Sequence, residues 1–480
     1  MQTVVAPMVL WLACAISGRR APTSPERSRI DKASSSQRQD GADGKLRSLK
    51  MLAALFQASD LEVAFSLSSP GRRFPVASPA THVPHASALA ELAAGRIRSQ
   101  SGAHQWRRRA EPSMELATED EIGSSNPGLV LRPSLPTEST WFDSGCMAMP
   151  VVLPPSVTGT GKWQCYYYGN AGSWAAGYKN FLPTGWTGLA ESDDGIHWTK
   201  VVGKEEGGSV LAPTGNPDDW DGIHLGVGDV VRVSESELHM YYFGGSGEGV
   251  SMGPNRTAEG LRMRIGRARS LDGGMTWERM GMVLDFNEEE GLFASWPRIM
   301  MPERDSEEPL RMLYHAFNGR RWAAFQATSS DQGETWKRGG MVLGPGEQES
   351  WDGSGVGTRA VARMQSGDWV MVYEAVDGVG GAFGGKHRLG VARLEQGTGK
   401  WEKDSIMTGV PGGPILDPGV EPLASWTSQV IGTPYLVSMD DGSLRLYFCS
   451  KRNQGMNMSI GLVVSDTGDL SPSSWKSVLV

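Results

Sequence analysis

A β-meander that returns five times constrains this chain more than any other feature. Its clearest copy spans residues 220–277: WDGIHLGVGDVVRV (220–233), ELHMYYFGG (237–245), IGRARS (265–270) and SLDGGMTW (270–277). The first run is nearly all apolar, as for a strand buried on both faces, and the second mixes apolar, aromatic and polar residues. The last two flank a tight turn on Asp272, Gly273 and Gly274, residue types that tolerate positive φ. Further second-strand copies are GKWQCYYYG (161–169), PLRMLYHAF (309–317), GDWVMVYEA (367–375) and GSLRLYFCS (442–450), and Trp198, Trp277, Trp336, Trp401 and Trp475 close successive units. A lone four-stranded meander cannot bury both faces, so five copies at a period of about 60 to 80 residues must pack on one another. The expected fold is all-β, a five-bladed β-propeller of four-stranded antiparallel blades over residues 129–480.

Composition agrees with a turn-rich β protein. Seventeen Trp and 62 Gly stand against four Cys, and Cys14 lies near the N-terminus, so at most one bridge is open to Cys146, Cys165 and Cys449. The formal charge of −8 is uneven. Residues 19–110 hold 16 basic and 7 acidic side chains, a surplus of nine, which leaves the remainder near −17. That balance excludes a nucleic-acid surface on the repeats and suits a neutral or cationic partner. The eight His form no metal spacing, and neither a G-x-S-x-G elbow nor a phosphate loop occurs, so no cofactor or metal is expected.

Residues 1–18 carry no charge and an apolar core, short for a membrane span and of the length of a signal peptide. Residues 19–112 are rich in Ser, Ala and Arg, a composition that resembles a plastid or mitochondrial transit peptide. Together they read as a two-part presequence for a plastid reached through the secretory route, with a disordered linker on a secreted protein as the alternative. No stable membrane span in the mature protein and a monomeric state are expected.

The innermost strands of a propeller line its axis, so their alignment locates candidate site residues. They read WFDSGCMAMPVV, WDGIHLGVGDVV, EEGLFASWPRIM, WDGSGVGTRAVA and WTSQVIGTPYLV. Ahead of the strand core four blades supply a carboxylate, Asp143, Asp221, Glu290 and Asp352, where the fifth has Trp426. Such a repeat suits a capping role on the Gly-rich turn that follows, and equally a ring of acids at one mouth of the channel. Asp229 is the only acid at a strand opening, and Arg298 and Arg359 are the cations there. A break in a repeat often marks function. Arg298, Arg359 and His224 are candidate substrate contacts, and Trp296 and Trp426 could stack on a sugar face. SLDGGMTW and SSDQGETW match the S-x-D-x-G-x-T-W box of sialidases, and SDDGIHW (192–198) is a shorter relative; lying between outer strands, these turns read as folding elements.

The five units, the SDDGIHW turn followed by Lys200 and the GDVV inner strand resemble the five-bladed glycoside hydrolase superfamily of arabinanases, levansucrases and invertases, families 43 and 32 among them. The resemblance covers residues 129–480. It implies catalytic Asp143, Asp229 and Glu290: Asp229 as the transition-state-steadying Asp of blade two, and Glu290 with Gly291 as the general acid. The family places its blade-one Asp directly before the inner strand, where this chain has Met149, with Asp143 six residues earlier. Glycosidic cleavage needs a protonated acid and an ionised carboxylate across the bond. A carbohydrate is therefore the expected partner, with a catalytically silent glycan- or protein-binding propeller as the alternative and a sialidase third, since only two Arg, not three, occupy equivalent strand openings.

Overall fold

The computed structural model describes residues 126–135, 138–171, 185–251, 257–303, 306–378, 385–395, 398–405, 409–423, 425–427, 430–451 and 458–480. The presequence read from residues 1–112 lies outside them.

Chain order begins with a lone strand β1 (Leu129–Leu131). Blade one is β2 (Cys146–Leu153), β3 (Trp163–Asn170), β4 (Trp186–Ser192) and β5 (Thr199–Val201). Blade two opens with β6 (His224–Arg232) and β7 (Leu238–Gly245), carries a small ribbon of β8 (Val250–Ser251) and β9 (Thr257–Ala258), and ends with β10 (Met263–Ser270) and β11 (Glu278–Leu284). Blade three is β12 (Ser295–Met300), β13 (Leu310–Phe317), β14 (Trp322–Ser329) and β15 (Lys337–Leu343). Blade four is β16 (Gly355–Arg363), β17 (Trp369–Val376), β18 (His387–Leu394) and β19 (Trp401–Lys403). Blade five is β20 (Ile431–Ser438), β21 (Leu444–Lys451) and β22 (Met458–Ser465), whose free edge pairs with both β1 and β23 (Lys476–Ser477). The first and last strands thus close one sheet, which removes the exposed edges an open array would present. The innermost strands β2, β6, β12, β16 and β20 neighbour one another in a closed cycle.

Two repeated devices hold the blades. In the Ser–Asp–Gly turns the Ser hydroxyl and Asp carboxylate accept the turn's own N–H groups: Gly274 N donates to Ser270 Oγ at 2.9 Å and Thr276 N to Asp272 Oδ1 at 2.9 Å. Each turn also receives a donor from a neighbouring blade. Tyr447 bonds the Gly195 carbonyl at 2.8 Å, Gln164 that of Gly273 at 2.9 Å, and Arg267 that of Gln332 at 3.0 Å. These turns are interblade staples, as a folding element should be.

The second device is a β-bulge in every inner strand, where pairing slips at Ala148/Val151, Val227/Asp229, Ser295/Arg298, Val356/Arg359 and Gly432/Tyr435. Met149, Trp296 and Thr433 sit at these bulges with φ of 57°, 50° and 43°, and each precedes a Pro that has no ladder N–H to lose. The bulges re-aim side chains around the axis, where the candidate site lies.

Candidate functional site

Each of the four repeated carboxylates is engaged by partners from its own blade. Tyr167 donates to Asp143 at 3.0 Å while Lys200 pairs with the same oxygen at 2.8 Å. Tyr242 and Arg279 hold Asp221 at 2.9 Å each. Tyr314 bonds both Glu290 oxygens at 2.9 Å and Arg338 pairs with one of them. Asp352 pairs with Lys403, and the buried Tyr373 hydroxyl feels its charge. In every case the Tyr is on the second strand and the cation on the fourth, two residues after the closing Trp. Blade five changes all three partners together: Trp426 replaces the acid, Phe448 the Tyr and Ser477 the cation. Trp426 stacks on Phe448 with ring centroids 6.0 Å apart, and its Nε1 donates to the Pro127 carbonyl at 3.0 Å, fastening the chain just ahead of β1. A triad that is kept or exchanged whole is a blade buttress. Asp143, Asp221, Glu290 and Asp352, read from the sequence as capping groups or a ring of acids at one mouth, are each engaged in such a set.

Asp229 lies on the axis, in a different network. Its carboxylate accepts Val230 N at 3.0 Å, Ile299 N from blade three at 2.8 Å and Tyr435 Oη from blade five at 3.4 Å. Arg298 stands beside it, with its guanidinium carbon 4.9 Å from the Tyr435 ring centre, and donates to carbonyls of Gly228, Arg359 and Pro434. Together the pair stitches blades two to five. Burial raises the Asp229 pKa despite Arg298 and the backbone donors, and burial lowers that of Arg298. Asp229 and Glu290 share no hydrogen-bond partner among the described residues.

His224 is buried and its Nε2 donates to the Gly260 carbonyl at 2.8 Å. Burial pulls its pKa down to about 4. Trp296 packs on two rings: Phe243 lies 4.2 Å from it, centroid to centroid, and His315 stacks at 4.8 Å.

Sequence reasoning missed a second layer, one strand outward. The residue after the recurring second-strand Tyr or Phe is Tyr168, Phe243, His315, Glu374 and Cys449 in blade order. Two of these break the apolar pattern. Glu374 accepts His387 Nδ1 at 2.6 Å, Thr433 N at 3.1 Å and the Thr358 hydroxyl. His315 Nδ1 lies 2.7 Å from Arg359, whose other bonds run to the carbonyls of Trp296 and Gly357 at 3.1 and 2.8 Å. His315, Arg359, Glu374, Thr358 and Thr433 are thus polar members of a layer that adjoins the apolar cluster of Cys146, Met149, Tyr168, Phe243, Trp296 and Cys449. Polar groups beside aromatic and aliphatic carbon are the composition of a site for a small polar molecule with a hydrophobic face. The signal lies in the sequence, since His315 and Glu374 break the second-strand repeat as Asp229 breaks that of the inner strand. Among the described residues no three His, Cys, Asp or Glu are grouped to hold a metal ion.

The chain matches no family model and no curated protein. Among solved structures it is similar to a complex described as BT0996 with RGII, at 18% identity over 71% of this chain and 92% of that one, with a TM-score of 0.50. It is also similar to a glycosyl hydrolase from Bacteroides ovatus, at 14% identity over 74% of this chain and 94% of that one, with a TM-score of 0.49. At such identities the likeness concerns the fold. The fold in question is the all-β propeller described above.

Proposed function

We propose that this glycoside-hydrolase-like propeller recognises a carbohydrate through the axial layer around Trp296, His315, Arg359 and Glu374, and that it binds rather than cleaves. The observation that carries the reading is the disposition of the carboxylates. Asp143 and Glu290 belong to buttresses that recur from blade to blade, and Asp229 is committed to backbone N–H groups of the inner strands. Hydrolysis needs two carboxyl groups about 5 to 9.5 Å apart across one bond, and these three are spent in separate networks. The broken positions of the repeat instead cluster on the axial layer, where polar donors and acceptors lie beside aromatic carbon.

The test is a paired screen on the full chain. Neutral and acidic methyl glycosides and oligosaccharides are titrated calorimetrically, and aryl arabinofuranosides, xylosides, fructosides and galactosides are assayed for turnover. Saturable binding without turnover is expected. Turnover abolished by both Glu290→Gln and Asp229→Asn, with unfolding temperatures unchanged, would overturn the reading in favour of a glycosidase.

A further inference from the structure

Four side chains of the axial layer carry a polar atom with no partner. They are Ser295 Oγ, Trp296 Nε1, His315 Nε2 and Arg359 Nε. All four residues are more than nine-tenths buried, with Trp296 the most exposed at 8%. They form one group. Ser295 and His315 are cross-strand partners on β12 and β13, the Trp296 ring lies on the His315 ring, and Arg359 reaches His315 from blade four.

Their chemistry has one sign. Arg359 can only donate, so the 2.7 Å contact makes His315 Nδ1 the acceptor and puts the ring proton on Nε2. Burial, reinforced by the Arg359 charge, keeps that imidazole neutral. Trp Nε1 and Arg Nε are donors without alternative, and a Ser hydroxyl can donate. Arg359 is moreover a buried cation with no carboxylate within ion-pair distance among the described residues; its bonded acceptors are two carbonyls and an imidazole nitrogen, all neutral. Native interiors rarely leave buried donors unpaired, and an uncompensated buried charge is costlier still. Three obligate donors, one of them on the Arg359 cation, and a hydroxyl that can donate are complementary to an acceptor-rich anion, with the Glu374 carboxylate as the charge that opposes it.

We propose that this cluster of donors holds the oxyanion of an acidic saccharide, a uronate carboxylate, with the sugar body lying against Met149, Tyr168 and Phe243. The assignment rests on the carbohydrate reading above and narrows its ligand class. Trp296, as the most exposed member, is where the ligand enters. Its edge must shift to admit the carboxylate, and the donors paired on binding offset that movement.

The experiment titrates the full chain with methyl glucuronide and methyl galacturonide, their neutral methyl glycosides and inorganic phosphate. It uses wild type, Trp296→Phe and Ser295→Ala. These substitutions delete a donor while leaving most of the packing. Uronates are expected to bind at least tenfold more tightly than their neutral counterparts. Each variant is expected to lose about tenfold in uronate affinity while its ligand-free unfolding temperature rises, because a buried unpaired donor has gone. Equal affinity for uronates and neutral sugars overturns the oxyanion assignment and leaves the carbohydrate reading standing. Binding of phosphate but of no saccharide overturns the uronate and the carbohydrate reading together, and so does the absence of any binding. Variants that bind uronate as wild type does, or that lose unfolding temperature, overturn the assignment of these donors.

Discussion

Lowering the pH from 7.5 to 5 should unfasten blade two through a single imidazole. His224 is enclosed where β6 begins; its Nε2–H donates to Gly260 and its Nδ1 has no partner. Burial holds its pKa at about 4 in the folded chain, against about 6.5 in the unfolded one. A depressed folded pKa means that the unfolded chain binds the proton first. The stability from the neutral ring is thus whole above pH 6.5 and lost as pH falls toward 4. The full difference, two and a half pH units at about 1.36 kcal/mol each, is about 3 kcal/mol, of which about 2 kcal/mol is gone by pH 5. His315, whose pKa is also pushed down by burial, adds a loss of the same sign, whereas Asp229, pushed up, acts in the opposite direction. Comparison with His224→Gln isolates one group, since the Gln amide can still donate to Gly260 but does not titrate. Urea unfolding followed by tryptophan fluorescence between pH 7.5 and 5 should show wild type losing about 2 kcal/mol more than the variant. Parallel curves would refute the placement of a neutral, buried His224.

Two further outcomes follow from the blade devices. Gly274→Ala should destabilise the chain by about 2 kcal/mol or more, because the residue has a φ of 90° and an added Cβ would stand 1.7 Å from the Tyr166 hydroxyl; thermal unfolding checks it, and an unchanged midpoint contradicts the staple. A double-mutant cycle of Glu290→Gln with Arg338→Met should give a coupling of about 1 to 2 kcal/mol in stability and no coupling in saccharide affinity; coupling in affinity alone would make Glu290 a ligand contact rather than a buttress.

Much of the fold was legible because its signals are local. Strand periodicity, Asp–Gly turns and closing tryptophans each lie within a few residues, and their repetition implied the propeller. The role of Asp143 and its counterparts was not legible from the same segments. The partner that decides it, Lys200, Arg279, Arg338 or Lys403, sits roughly 50 residues downstream, and only folding shows that both turn into one blade. Register was the other obstacle. The bulges place Arg298 level with Asp229, whereas Arg359 pairs one residue earlier, opposite Tyr373, and no alignment of inner strands reveals that offset. Asp229 and Arg298 stood out because they break a repeat. His315 and Glu374 break one as clearly, but on the second strand, outside the alignment of inner strands.

The central claim is that a carbohydrate is held at the axial layer and not across the blade carboxylates. The most direct measurement is a crystal structure of the full chain with the saccharide that binds most tightly in the titration screen. The account predicts an intact sugar with oxygen atoms within hydrogen-bond distance of Trp296 Nε1 and Arg359, and with Glu290 still held by Tyr314 and Arg338. A sugar lying between Asp229 and a released Glu290, or one found cleaved, would contradict it.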